Sequence, residues 1–146
     1  MKLIFKKIKE NAVIPFKTTL GSAGFDVCAC LDEPLTIAPN EIKMIPTGLT
    51  AMPDSKDIAL LIYPRSGLSS RYGISLANCV GVIDSDYRGE WIVPLINHGN
   101  LPFTIENGMR IAQLIPTKIP EIDIEVSDFL DETERGINGF GSTGNK

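Results

Sequence analysis

The sequence predicts an all-β fold of the sandwich, jelly-roll or barrel kind, and three observations lead there. Short runs rich in Ile, Val and Leu recur at close intervals, separated by clusters of Gly, Pro, Asn and Asp. Ten prolines are scattered through the 146 residues and cut any long helix. No segment sustains an apolar period near 3.6 residues. At this length the chain is most simply one domain, with hydrophobic (43%) and charged (22%) fractions ordinary for a globular protein.

Taken in order, the expected strands are Leu3–Ile8, Glu41–Thr50, Ile58–Tyr63, Ile74–Asn78, Val80–Asp84, Trp91–Ile96, Phe103–Ile105 and Arg110–Ile119. Each is an apolar stretch bounded by turn residues. One short helix is expected at Ser66–Tyr72, because it follows Pro64 and has serine and glycine at its start to cap it. Val80–Ile83 and Trp91–Ile96 flank Asp84-Ser85-Asp86-Tyr87-Arg88-Gly89 and read as a hairpin around an acidic turn. Asp, Ser and Gly suit a turn through local hydrogen bonding, but Tyr87 is a large ring where a plain turn wants a small polar residue.

The net charge of −4 argues against non-specific nucleic-acid binding, which needs surplus Lys and Arg. A free nucleotide needs only a local cation cluster. Cys28, Cys30 and Cys79 make an odd count with no disulfide framework. Cys28 and Cys30, alternate residues, would share one strand face as small buried hydrophobes. With one histidine there are too few ligands for zinc. Lysines interrupt the N-terminal apolar stretch too soon for a signal peptide, and Ile58–Tyr63 is too short to span a bilayer, so a cytoplasmic location is expected.

Four further segments hold residues suited to chemistry. Tyr63-Pro64-Arg65-Ser66-Gly67 leads from a strand into the helix. A cation and free N–H groups at a helix start can cradle phosphate, although an ordinary capped helix with a surface arginine has the same pattern. Asp26 in Ala23-Gly24-Phe25-Asp26-Val27 is an acid in apolar company, so it is either a hydrogen-bonding hub or close to a metal-bound water. Arg110 and Gln113 interrupt an alternating strand and are either edge solvation or pocket-facing. The C-terminus, Arg135 to Gly144, combines glycines, Ser142, Thr143, Arg135 and Phe140. Such an arm can close over phosphates and stack on a base, although a solvated tail would have a similar composition. Ser127–Glu134 reads as an acidic spacer between body and arm. His98, followed by glycine, suits a turn or edge, and Trp91 suggests no role.

These five segments, in this order from Ala23 to Gly144, resemble the five motifs of the trimeric dUTP pyrophosphatases (dUTPases). The resemblance implies a single-domain, jelly-roll-like β-barrel (the dUTPase-like β-clip) over residues 1–134 and a closing arm over residues 135–146. It implies hydrolysis of dUTP to dUMP and pyrophosphate by Mg2+-assisted water attack on the α-phosphate. Asp84 would be the catalytic carboxylate and would also bind the sugar 3′-OH. Tyr87 would pack on the deoxyribose and exclude a 2′-OH. Asn78 would contact uracil, joined by backbone groups of Val82, Ile83 and Ile92. Arg65, Ser66, Gly67 and Gln113 would hold phosphates. Asp26 would reach Mg2+ through water, the triphosphate supplying the direct ligands. Phe140 would cover the uracil, while Arg135, Gly141, Ser142 and Thr143 would grip the triphosphate. A homotrimer with shared sites is also implied. One departure is Asn138-Gly139, where the family often has Gly-Gly; Asn tolerates positive φ, so the arm should still bend.

Two rivals follow from the same fold. dCTP deaminases use a glutamate on the strand after the hairpin, whereas Trp91–Asn97 has no carboxylate and Pro94 stands about where it would fall. The other rival is a regulator that uses the dUTPase fold to bind a protein partner, but no inserted segment is evident to carry a second interface.

Overall fold

The computed structural model describes residues 2–139. Eleven strands and one helix follow in the order β1 Leu3–Lys7, β2 Phe25–Cys28, β3 Leu35–Ile37, β4 Ile42–Pro46, β5 Leu49–Pro53, β6 Ile58–Pro64, α1 Ser66–Tyr72, β7 Ile74–Leu76, β8 Gly81–Ile83, β9 Ile92–Asn97, β10 Phe103–Ile105 and β11 Arg110–Lys118. The strands form sheets ordered β1-β5, β10-β3, β2-β11-β6-β8 and β4-β9-β7. Every named pairing is antiparallel. Their inner faces close on a main core that includes Val27, Ile37, Leu60, Leu95, Ile105 and Leu114, beside a smaller cluster of Ala12, Cys30 and Leu49. This is the expected all-β, jelly-roll-like architecture.

The helix has the expected bounds. Arg65 is its N-cap in extended backbone, and Gly73, with φ +71°, ends it. Leu68 is the helix residue buried against the core. Cys28 and Cys30 are buried free thiols, as expected, and Cys79 is exposed.

Three sequence expectations need correction. Glu41–Thr50 is not one strand. It breaks at Thr47-Gly48, where Gly48 takes φ +66° and a Cβ would press on Cys30 Sγ and Ala12 Cβ. Only glycine meets both demands there. The segments around the acidic turn do not form a hairpin: β8 pairs with β6, while β9 lies between β4 and β7. Long-range partners satisfied both strands, so the connection between them is a loop across sheets. Strands β2, β3 and β5 also went unassigned as separate elements. At three to five residues they are too short to show a period.

Candidate active site

The long strand β11 organises the first part of the site. It lies between β2 and β6, with Gln113 opposite both Asp26 and Tyr63 and with Ala112 opposite Pro64. Pairing geometry alone therefore gathers Asp26, Gln113 and the start of α1. A register shift between Arg110 and Ala112 bends the end of β11 toward the same place.

Asp26 is the hub of this cluster. Its Oδ1 accepts from Arg65 Nε at 2.9 Å; its Oδ2 accepts from Thr18 Oγ1 at 2.9 Å and from an Arg110 guanidinium nitrogen at 3.2 Å. Arg65 also donates to the Arg110 carbonyl at 3.3 Å. One carboxylate thus orients two guanidinium groups. Gln113 Nε2 donates to the Pro64 carbonyl at 2.9 Å. Gly24 makes room for it, because a Cβ there would come within 2.9 Å of Gln113 Oε1. Asp26, Arg65, Ser66, Gly67 and Gln113 line a polar cavity of about 430 Å3, together with Thr18, Ser22 and Arg110. The first two N–H groups of a helix lack intrahelical partners, so Ser66 and Gly67 add donors to the guanidinium groups.

A narrower cavity of about 110 Å3 lies elsewhere. Asn78, Val82, Ile83 and Ile92 line it, with Gly81, Trp91 and Pro94. Gly81 keeps it open: a Cβ there would press on Ile62 at 3.2 Å and stand 3.6 Å from Asn78 Nδ2. No carboxylate or other acid–base side chain lines it. Glu90, the nearest acid in sequence to β9, accepts from the Gly48 N–H at 2.8 Å.

Asp84 follows directly on β8. It lines a third cavity, of about 690 Å3, with Ser85, Asp86, Arg88, Met52 and Ile119. Its carbonyl closes a turn by accepting from the Tyr87 N–H at 3.2 Å. Arg88 braces the loop by donating to the Ser85 and Tyr87 carbonyls at 2.8 and 2.9 Å. The Asp84 carboxylate is exposed and has no hydrogen-bond or ion-pair partner among the described residues. Tyr87 is half exposed, and its hydroxyl donates to the Glu90 carbonyl at 3.1 Å. A Cβ at Gly89 would run into this ring, so that glycine permits the ring's position.

Within one chain the predicted residues therefore fall into separate cavities. Asp26, Arg65, Ser66, Gly67 and Gln113 meet; Asn78, Val82, Ile83 and Ile92 meet; Asp84 stands beside the second group by sequence continuity, and away from the first. Arg135 joins none of them. It lies in an exposed turn and donates to the Asn138 carbonyl at 3.0 Å. Phe140, Gly141, Ser142 and Thr143 lie outside the described residues. Arg110 and Thr18 were not singled out as ligand-binding. Arg110 did leave a signal, a cation interrupting an alternating strand; Thr18 left none.

No group of three or more His, Cys, Asp or Glu side chains among the described residues could hold a metal ion. A hard cation here would draw its ligands mainly from a ligand's own oxygens and water. Asp26 accepts three hydrogen bonds, and a carboxylate has about four acceptor positions, so one is left for a metal-bound water.

Fold and site together define the class: an all-β protein with a guanidinium-lined polar cavity, a separate small pocket and, next to that pocket along the chain, an aspartate without a side-chain partner among the described residues. The dUTPase family model matches residues 10–144. A deoxyuridine 5′-triphosphate nucleotidohydrolase of Leptospira interrogans is 49% identical over 146 residues, covering 99% of each chain. One from Hahella chejuensis is 44% identical, covering all of this chain and 96% of its own. Among solved structures, a Staphylococcus bacteriophage 80alpha dUTPase with dUpNHpp superposes with a TM-score of 0.87 at 25% identity, covering 98% of each chain. The chain belongs to the dUTPase family.

Proposed function

We infer that this chain is a dUTP diphosphatase. It hydrolyses dUTP to dUMP and pyrophosphate, which limits uracil incorporation into DNA and supplies dUMP for dTMP synthesis. One observation carries the chemistry: the small pocket and Asp84 are consecutive on the chain, Val82 and Ile83 lining the pocket and Asp84 following next. A pyrimidine seated against Asn78, Val82, Ile83 and Ile92 directs its sugar toward Tyr87 and its α-phosphate toward Asp84.

Asp84 accepts a proton from water as that water attacks the α-phosphorus in line. The bond from that phosphorus to the bridging oxygen breaks, and pyrophosphate leaves with the oxygen. Asp84 suits this role because no described residue holds its carboxylate, and it also accepts from the 3′-OH. The ring of Tyr87 against the deoxyribose excludes a 2′-OH. Arg65, Ser66, Gly67 and Gln113 bind the phosphates. Mg2+, when bound, would supply charge neutralisation on the phosphate oxygens; Asp26 would hold it through water, with the direct ligands coming from the triphosphate. The arm, residues 135–146, belongs to the same domain as residues 1–134. It covers the uracil with Phe140 and the triphosphate with Arg135, Gly141, Ser142 and Thr143.

The separation of the cavities supports a homotrimer with shared sites. One chain brings Asp84 and the base pocket, a second the Arg65 cradle, a third the arm. Exposed apolar side chains such as Ile4, Ile42, Met44 and Val82 offer surface for self-association. Deamination of dCTP is not supported, because Pro94 and its neighbours leave the base pocket without an acid–base group.

Pyrophosphate release from dUTP, dCTP, dTTP and UTP tests the reading, with dUTP alone expected to turn over well. Asp84→Asn should lower kcat by about 10²- to 10⁴-fold while nucleotide binding stays intact. Co-refolded with Arg65→Ala chains, it should regain part of the rate, because some sites then draw both intact parts. An undiminished Asp84→Asn rate would remove Asp84 as the base. A mixture no faster than its components would count against the shared site.

A further inference from the structure

The chain holds two Asn-Gly pairs, Asn107-Gly108 and Asn138-Gly139. In such a pair the glycine nitrogen can attack the asparagine side-chain amide, because no Cβ crowds its approach. The attack needs that nitrogen unheld and the side-chain amide free to turn toward it. The first pair fails both conditions. The Gly108 N–H donates to the Ala29 carbonyl at 2.9 Å, and Gly108 sits at φ +76° in the turn between β10 and β11. Asn107 Oδ1 accepts from the Leu31 N–H at 3.0 Å, which pins the amide that would be attacked. The second pair meets both. It lies outside helix and strand, Asn138 is exposed, and a Cβ on Gly139 would meet nothing within 4 Å. Among the described residues neither the Asn138 side-chain amide nor the Gly139 N–H has a hydrogen-bond partner. The Asn138 backbone carbonyl, by contrast, accepts from Arg135 Nε at 3.0 Å.

We propose that Asn138-Gly139 is a site of spontaneous deamidation that weakens the grip of Arg135 on the triphosphate. The consequence for binding rests on the dUTP reading above; the modification itself does not. The Gly139 nitrogen gives up its proton and bonds to Asn138 Cγ. The bond from Cγ to Nδ2 breaks, and Nδ2 takes up a proton and leaves as ammonia. Water then opens the cyclic imide at either carbonyl. Opening at Cγ leaves aspartate; opening at the backbone carbonyl leaves isoaspartate, with the chain rerouted through the side chain. In isoaspartate the new carboxylate is the group that Arg135 already holds as a carbonyl, so a neutral acceptor becomes an ion-pair partner. Arg135 is the one cation among residues 119–138, against seven acids. A carboxylate at this point competes with phosphate for its guanidinium. Isoaspartate also lengthens the main chain by one atom ahead of Phe140.

Peptide mass mapping reads the modification independently of activity. The full chain is incubated in mildly alkaline buffer made with heavy-oxygen water. The peptide carrying Asn138-Gly139 should take up heavy oxygen and split into two products, one of them a substrate for an isoaspartyl methyltransferase. The peptide carrying Asn107-Gly108 should react more slowly by about tenfold or more, since two hydrogen bonds must first open. The aged protein should show KM for dUTP raised about two- to fivefold, the worth of an exposed ion pair. Asn138→Gln, whose longer side chain closes a ring far less readily, should keep its KM through the same incubation. Fresh Asn138→Asp should show the raised KM at once. An unmodified Asn138 peptide, or one no faster than the Asn107 peptide, would overturn the proposed site. Modified protein with the KM of fresh protein would overturn the effect on Arg135, and so would an equal rise in aged Asn138→Gln. If the wild type does not turn over dUTP at all, the reading beneath falls, and the mass map still judges the site.

Discussion

Replacing Asp26 by Asn should cost stability as well as function, and the structure sets the size. Asp26 is 13% exposed and accepts from Arg65, which is 27% exposed, and Arg110, which is 42% exposed. A hydrogen bond to a charged group contributes about 1.5–3 kcal/mol net. The better-covered Arg65 pair belongs in that range; the more solvated Arg110 pair is screened toward ~1 kcal/mol or less. Asn keeps one carbonyl acceptor, loses the charge, and turns an amide donor against Thr18 or a guanidinium. The balance is a loss of roughly 2–3 kcal/mol, against ~0.5 kcal/mol or less for exposed, unpartnered Asp84→Asn. At about 2–4 °C per kcal/mol for a chain of this size, the melting point of Asp26→Asn should fall by roughly 4–12 °C. Calorimetry of wild type and both variants at one protein concentration makes the comparison, since association shifts apparent stability. Raising the salt should restore little, because the Arg65 pair is largely sheltered. A melt within about 1 °C of wild type would refute the hub assignment and leave Asp26 a surface group.

Three more predictions follow from local geometry and burial. Gly89→Ala should push the Tyr87 ring out of place and break its bond to the Glu90 carbonyl. Discrimination of dUTP from UTP should drop by roughly tenfold, about 1.4 kcal/mol, measured as the ratio of kcat/KM values; unchanged discrimination would remove Tyr87 as the sugar filter. Burial pushes the thiols of Cys28 and Cys30 up from their ordinary range, Cys28 with help from the Asp26 charge. A thiol reagent should therefore modify Cys79 first and the other two only on unfolding. The raised thiols bind protons more tightly folded than unfolded. Their stabilisation is complete below the unfolded value of about 8.5 and is lost as pH rises through the folded one. Urea midpoints measured across this alkaline range should fall, and the fall should flatten in Cys28→Ala/Cys30→Ala; an equal slope would exclude these thiols as its cause.

What was legible in the sequence is what local chemistry dictates. Pro64 followed by Arg65-Ser66-Gly67 marked the start of α1; the stop at Gly73, with its positive φ, is seen in the structure. Short apolar runs between turn residues marked eight strand segments. Pattern reading could not split Glu41–Thr50, because the close approach of Cys30 and Ala12 to Gly48 comes from distant sequence. Nor could it pair the strands: β8 and β9 are neighbours along the chain, yet each satisfies its backbone with strands far from the other.

The site divides along the same line. The order and identity of the five segments were legible in the residues; the role of Asp84 and the belonging of Gln113 with the Arg65 cradle came only with the family resemblance. Whether Asp26 is a hub or only a metal neighbour could not be read from a lone acid among apolar residues. That depended on β11 lying between β2 and β6, which carries Arg110 and Arg65 to the two oxygens of one carboxylate. The division of predicted site residues among three cavities, and the contrast between the held Asn107-Gly108 and the open Asn138-Gly139, are likewise tertiary facts. Backbone propensity and turn chemistry act over a few residues, so a sequence reveals them directly; strand pairing and the holding of a single N–H depend on atoms that only the folded chain brings together.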